Sequence, residues 1–517
     1  MPARTLMVQG TASSVGKSLI VAALCRIYAR RGLRVAPFKS QNMSLNAAVT
    51  ADGGEIGRAQ AVQAQAAGIE PTVEMNPILI KPEGDRHAQI VVLGRSIGNM
   101  DATAYHEQKL PLRATIARCL ASLRAQYDLI VIEGAGSPAE INLKEREIVN
   151  MHVARAADAP VVLVGDIDRG GVFAAFVGTL ELLDATERER VAAFIVNKFR
   201  GDLALLQPGL DFLTERTGKP VLGVVPYVDR LRIADEDSLD LDDRMARRRP
   251  SEDEGHRLAV AVIRYPRISN HDDLLALEHD PTWRVRFVDD PQRVEPADLV
   301  ILPGSKSTMA DLAWLRARGF APVLAQRVQR GQPILGVCGG CQMLGETLHD
   351  PDGVESDETA ARGLGYLPLH TQFVADKVTA QVRAHATGPG FLTAGIAADE
   401  PLRGYEIHCG QMRRTAAAPT AFRIVGRGAR TCEIDDGAVD ASGTVVGTMI
   451  HGLFDNAAVR SALAQALARG RRQTGFVAPR PSDADDEYNR LADVVEAALD
   501  MERLDRLTGC SRDAGQA

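Results

Sequence analysis

The chain has 517 residues, 45% hydrophobic and 25% charged. That is the balance of an ordinary globular protein, and at roughly 100–200 residues per domain it calls for more than one domain. Sixty Lys and Arg against 67 Asp and Glu leave a net charge of −7, which argues against a chain built to hold nucleic acid. No apolar run nears the ~20 residues of a membrane span. Met1–Val8 runs into a small-residue loop rather than through a signal peptide, and seven scattered cysteines make no disulfide framework. The expectation is a cytoplasmic, multidomain α/β protein with neither a membrane nor a nucleic-acid partner.

In chain order, Leu6–Gln9 is a short apolar run followed by a small-residue loop. Leu19–Arg30 then has apolar residues at helical spacing. Val35–Phe38, Leu129–Ile132, Val161–Val164, Ala193–Val196 and Val221–Val225 are further short β-rich runs that end in polar or glycine turns. This alternation predicts a parallel sheet covered by helices, with ligands outside the carboxyl ends of the strands. From 229 to 257 the composition becomes charged and almost free of apolar residues, with Asp235-Glu236-Asp237 and Arg247-Arg248-Arg249, and reads as a linker between domains 1–228 and 258–455. Strand-like runs resume at Leu258–Ile263, Val285–Val288, Leu299–Leu302, Ile334–Val337 and Val445–Ile450, giving a second α/β domain. The segment 456–517 reads as helical, with Leu491, Val494, Val495, Ala498 and Leu499 on one face.

Gly10-Thr11-Ala12-Ser13-Ser14-Val15-Gly16-Lys17-Ser18 follows a strand and opens a helix. Backbone amides and the helix N-terminus there can cradle phosphates, with Lys17 on the outer phosphates and the Ser18 hydroxyl on Mg²⁺. The spacing departs from the simplest pattern, because Thr11 sits where the first glycine usually stands. Glu133 leaves a buried strand into Gly134-Ala135-Gly136, where a carboxylate can hold the metal of a triphosphate. Asp166 is a second strand-end carboxylate, readable equally as a helix cap. Asn197 and Lys198 suit recognition of a base, although Asn at a strand end is also ordinary turn chemistry.

In the second half, Pro333-Ile334-Leu335-Gly336-Val337-Cys338-Gly339-Gly340-Cys341-Gln342 runs from strand to tight turn to helix. That geometry projects a nucleophile from a strained corner, and a helix N-terminus favours the thiolate. Cys341 reads as packing. The base should be a histidine: His451, after the strand Val445–Ile450, is better placed than its rival His408. Gly304, in the turn after Leu299–Leu302, could join the Gly339 amide as an oxyanion hole.

These residues carry resemblances. The C-terminal half resembles class I glutamine amidotransferase domains, whose elbow reads Gly-x-Cys-x-Gly-x-Gln. The N-terminal half resembles dethiobiotin-synthetase-like ATPases. The order of the halves, with Phe38–Met43, Thr50–Gln60, Met75-Asn76-Pro77, Asp166–Phe173, Asn197–Asp202 and Pro303–Thr308, is similar to the cobyric acid synthase family of cobalamin biosynthesis. The match runs from Thr5 to about Phe454.

The resemblance implies that glutamine is hydrolysed at Cys338 through a thioester. ATP·Mg²⁺ would phosphorylate corrin carboxylates, and ammonia would displace the phosphate. Four side chains (b, d, e and g) of adenosylcobyrinic acid a,c-diamide would be amidated in this way. It implies catalytic Cys338 and His451, and Gly304, Gly339 and Gln342 around the glutamine. It implies the 10–18 loop with Asn197 and Lys198 on ATP, and Lys39, Gln41 and Asn42 toward the corrinoid. Ser18, Glu133 and Asp52 would serve the metal, and cobalt would arrive within the substrate rather than as a protein-bound ion. One departure stands out: class I amidotransferases place a glutamate two residues after the histidine, and here that residue is Leu453. The cobyric acid synthase branch shares this Cys–His arrangement, which leaves open what orients His451. Two other readings compete: a cobyrinic acid a,c-diamide synthase, which amidates two carboxylates, and a P-loop regulatory ATPase with an inactive amidotransferase-like module. Oligomeric state is not legible in the sequence.

Overall fold

The computed structural model describes residues 2–83, 87–229, 231, 233, 257–415, 418–470 and 484–510. They fall into two compact units. The first gathers residues from 1–44, 55–236 and 482–517, and the second those from 45–54 and 237–481. The predicted linker at 229–257 lies almost wholly outside the described residues.

The first unit is built on a six-stranded sheet. Its strands are β1 (Arg4–Gly10), β2 (Val35–Phe38), β3 (Leu129–Glu133), β4 (Val161–Asp166), β5 (Val191–Phe199) and β6 (Val221–Pro226), in the order β6-β5-β4-β1-β3-β2. Every pairing is parallel. The interior strands β3 and β4 are buried along their whole length, which is why they read as continuous apolar runs rather than alternating ones. Helix α1 (Lys17–Arg30) follows β1, and α2 (Arg58–Ala66) packs against it. A smaller sheet, Gln41–Met43, Ile78–Pro82, His87–Val92 and Arg95–Asp101, was not anticipated. The C-terminal helices Ala484–Ala498 and Met501–Thr508 also belong here. Leu491, Val495 and Leu504 enter the core beside α1, and Arg31 pairs with Glu496 and Asp505.

The second unit has its own six-stranded sheet, with strands β7 (Leu258–Ile263), β8 (Trp283–Val288), β9 (Leu299–Leu302), β10 (Ile334–Val337), β11 (Ala438–Val439) and β12 (Val445–Thr448). Their order is β8-β7-β9-β10-β12-β11, parallel except for the edge strand β11. Helices α3 (Thr308–Ala317) and α4 (Gly339–Leu344) follow β9 and β10. A second, largely antiparallel sheet is built around the long hairpin Leu369–Ala386 and Leu402–Arg414. Helix Ala457–Gly470 packs on this unit through Val459, Leu463 and Leu467. The stretch after 455 is therefore divided between the two units. The mixed α/β architecture with two parallel sheets is the one the strand–helix alternation predicts. No helix among the described residues is long and apolar enough to cross a membrane.

Candidate active sites

In the first unit the chain leaves β1 through Gly10 and turns into α1 at Gly16, whose φ of +96° is left-handed. A side chain at Gly16 would meet Asn197 Nδ2 at 2.2 Å, and one at Gly10 would meet Val15 and Lys17. Both positions therefore require glycine. Asn197 Nδ2 donates to Val15 O at 2.8 Å, and Lys198 Nζ to Ser14 O at 2.6 Å and Asp166 Oδ2 at 2.9 Å. The ends of β4 and β5 thus brace the loop, and Asp166 acts as the anchor of Lys198. Lys17 is buried, and its Nζ donates to Ala12 O (2.9 Å) and Gly136 O (3.1 Å), spanning the two loops.

Glu133 is the centre of this site and is only 1% exposed. Its Oε1 accepts from Ser18 Oγ and Lys39 Nζ, both at 2.9 Å. Its Oε2 accepts from Gln63 Nε2 at 2.5 Å and Gln60 Nε2 at 3.4 Å. A buried carboxylate is tolerated because a cation and three polar donors surround it. Just beyond it, Gly134 is required because a Cβ there would strike Asn150 Oδ1 at 2.2 Å. Ser18 and Glu133 are hard oxygen donors in mutual contact at the N-terminus of α1, a donor set that fits Mg²⁺.

Four further predicted positions are placed as follows. Lys39, expected on the substrate side, pairs through Nζ with Glu133 Oε1 at 2.9 Å. Asn42 is buried, with Nδ2 donating to Gln60 Oε1 and Oδ1 accepting from Met43 N, so it braces the site. Gln41 is half-buried and takes the Tyr105 hydroxyl on its Oε1. Asp52 is exposed at a turn of the second unit, where it accepts the Thr50 hydroxyl. The Ser18–Glu133 pair forms without it.

In the second unit Cys338 stands between β10 and α4 with φ 50° and ψ −113°, a strained corner of the kind that projects a nucleophile. Its neighbours are glycine for steric reasons. A Cβ on Gly340 would lie 1.9 Å from Leu302 O, and one on Gly336 would lie 2.6 Å from Leu344 Cδ1. A Cβ on Gly339 would meet Ser305 N at 2.9 Å and Thr308 Oγ1 at 3.2 Å. Gly339 thus lies against the 304–308 turn, and Gly304 approaches His451 closely enough that a Cβ would come 3.2 Å from its Cε1. Gln342 is buried and accepts from Thr308 Oγ1 at 3.2 Å.

His451 is 1% exposed and stacks on Tyr405, with ring centroids 5.0 Å apart and planes 14° apart. Its Nδ1 lies 2.6 Å from Asp273 Oδ2. Asp273 Oδ1 also accepts from Gly452 N at 3.0 Å and Tyr405 OH at 3.3 Å. Nε2 has no hydrogen bond among the described residues. Burial, the largest influence, works to lower the pKa of His451. The charges of Asp273 and Cys338 and the Asp273 hydrogen bond outweigh it and raise the pKa above the ordinary 6.5. The rival His408 is turned to Gly410 O (2.8 Å) and Glu406. Burial raises the Cys341 thiol pKa well above its usual range, as expected of a packing cysteine.

Two further residues come from the structure alone. Asp273 occupies the orienting position that Leu453 vacates, yet it lies 178 residues before His451 on the single turn His271–Leu274. Glu355 reaches the N-terminus of α3 and accepts from Thr308 N. Burial pushes its carboxyl up to about 7.

Residues 6–241 match the family profile described as the CobQ/CobB/MinD/ParA nucleotide binding domain, and residues 259–459 match the CobB/CobQ-like glutamine amidotransferase domain. A cobyric acid synthase of Sorangium cellulosum is 60% identical over 523 residues, covering 99% of this chain and all of that one. The chain belongs to the cobyric acid synthase family. Family members from Desulforudis audaxviator (51% identical; 98% of this chain, 100% of that one) and Moorella thermoacetica (49%; 99% and 98%) are similar over the same length. Cobyric acid synthases are glutamine-dependent amidating ligases of cobalamin biosynthesis, so the two sites described above lie in an enzyme of that class.

Proposed function

We propose that this enzyme uses glutamine and ATP·Mg²⁺ to amidate four carboxylates (b, d, e and g) of adenosylcobyrinic acid a,c-diamide, giving adenosylcobyric acid. One observation carries the reading: the same chain holds a buried His451–Asp273 pair in the unit that carries the strained Cys338 corner, and a Ser18–Lys39–Glu133 cluster beside the glycine-rich loop.

In the glutaminase half, the Cys338 thiolate attacks the side-chain carbonyl carbon of glutamine. The amides of Gly339 and the 304–305 turn receive the developing oxyanion. His451, held by Asp273, gives its proton to the departing ammonia and then takes one from the water that hydrolyses the thioester to glutamate. Glu355 offers a half-buried carboxylate to the α-ammonium of glutamine, beside Gln342.

In the ATPase half, the loop amides and Lys17 hold the phosphates, and Asn197 and Lys198 brace the loop toward the base. Mg²⁺, held by Ser18 and Glu133, would neutralise charge on the transferred phosphoryl. A corrin carboxylate oxygen takes the γ-phosphoryl, releasing ADP. Ammonia then attacks the acyl carbon and phosphate departs, leaving the amide. Lys39, paired with Glu133, would stabilise the transferred group, and the half-buried Gln41 would bond polar groups of the corrinoid.

The test is mass spectrometry of the corrinoid after incubation with enzyme, glutamine, ATP and Mg²⁺. Four amides gained, and none without ATP, is the expected result. Conversion of cobyrinic acid to its diamide, with no reaction of the a,c-diamide, would replace this reading with a two-carboxylate enzyme.

A further inference from the structure

Residues 45–54 interrupt the first unit in sequence but belong to the second by their contacts. The stretches on either side carry phosphate-site side chains: Lys39 and Gln60 both bond Glu133, and Asn42 bonds Gln60. Between them, strand Ala47–Val49 and the turn Thr50–Gly54 form a short strap. The turn is closed by Gly53 N to Thr50 O and Gly54 N to Thr50 Oγ1, both at 2.9 Å.

The strap is bonded on both sides within the second unit. Gln381 Nε2 donates to Val49 O at 3.0 Å. Ala47 N donates to Asn270 Oδ1 at 3.1 Å, and Asn46 Nδ2 lies 3.4 Å from His271 Nε2. Asn46, Ala47, Asn270 and His271 are all buried.

Asn270 is left-handed, with φ 49° and ψ 40°, and stands immediately before the turn His271–Leu274 that carries Asp273. Asp273 N donates back to Asn270 O at 3.1 Å. A single turn of this kind has too few internal hydrogen bonds to fix its own geometry, and a non-glycine residue keeps a left-handed backbone only where its surroundings over-determine it. The bond from Ala47 to the Asn270 side chain is such a constraint. It acts three residues from the carboxylate that orients His451.

We propose that the 45–54 strap is a positioning element of the glutaminase relay: by locking Asn270 and His271 it holds Asp273 within reach of His451. The inference rests on the proposed glutamine hydrolysis at Cys338 but not on the identity of the acceptor. It gives residues encoded inside the ATPase half a role in hydrolysing glutamine.

The test uses the full chain with Asn46→Ala, Asn270→Ala and Asn270→Asp. Asp at 270 keeps an oxygen for Ala47 N and tolerates the left-handed backbone. Asn46→Ala should lower kcat for glutamine hydrolysis by about 3- to 10-fold and Asn270→Ala by about 10-fold or more, with KM within about two-fold. In both, the alkaline limb of the pH profile should move to lower pH as Asp273 loosens from His451. Asn270→Asp should restore rate and profile, and amidation driven by free ammonia should stay at the parent rate throughout. Unchanged hydrolysis and pH profile in both alanine variants would overturn the proposal, as would an Asn270→Asp no better than Asn270→Ala. Failure of the unsubstituted chain to amidate the corrinoid from ammonia would count against the proposed acceptor alone, because hydrolysis is read independently.

Discussion

Asp273→Asn isolates the residue that takes the place of the missing glutamate. The carboxylate makes three contacts: His451 Nδ1 at 2.6 Å, Gly452 N at 3.0 Å and Tyr405 OH at 3.3 Å. Asn preserves the volume but removes the charge, and its NH₂ group can face Nδ1 and hold the ring in the wrong tautomer. A hydrogen bond to a charged group contributes about 1.5–3 kcal/mol. At about 1.4 kcal/mol per tenfold, glutamine hydrolysis should lose about 10- to 150-fold in kcat/KM. The sign of the pH effect follows from the charge. Asp273 favours the imidazolium and raises the His451 pKa, so without it that pKa falls and the alkaline limb moves to lower pH. The assay is glutamate release across pH, with ammonia-dependent amidation as the control for folding. Unchanged kcat/KM together with an unmoved alkaline limb would refute the assignment.

Three further outcomes follow from the geometry. Lys17→Ala should abolish amidation with either glutamine or ammonia as nitrogen source while glutamine hydrolysis persists; retained ammonia-dependent turnover would exclude Lys17 from phosphoryl transfer. Glu355→Gln should raise KM for glutamine about 10-fold or more with a smaller effect on kcat. Because burial pushes the Glu355 carboxyl up to about 7, the parent KM should rise as pH falls through that value, and the variant's KM should stay flat, in initial-rate measurements over that range. Gly340→Ala places a methyl 1.9 Å from Leu302 O; overpacking of this kind costs about 1–3 kcal/mol, measurable by urea unfolding, with glutaminase activity falling alongside.

Much of the fold was legible because fully buried parallel strands announce themselves. Leu129–Ile132 and Val161–Val164 are uninterrupted apolar runs and became β3 and β4. The hairpin Leu369–Ala386 with Leu402–Arg414 was not legible. Its alternation changes phase at the irregularity between Phe373 and Val378, and several of its inward positions are Thr or Ala rather than large apolar residues. Glu133 could be singled out because it ends a buried strand beside a glycine turn. Nothing local reveals that Lys39 folds back onto Glu133. Asp273 gave no signal at all: an Asp in a short polar turn is ordinary, and only the tertiary fold brings it to His451. That Asp52 belongs by its contacts to the second unit is likewise written in no local pattern.

The central claim is that two sites in one chain pass nitrogen from glutamine to a corrin carboxylate. It is tested most directly by offering amide-¹⁵N glutamine and unlabelled ammonium together, with ATP, Mg²⁺ and the a,c-diamide, to the parent chain and to Cys338→Ser. The account predicts ¹⁵N in the new corrinoid amides of the parent, and only unlabelled nitrogen in those of the variant. A folded Cys338→Ser that transfers neither nitrogen, or one that still transfers ¹⁵N, would contradict it.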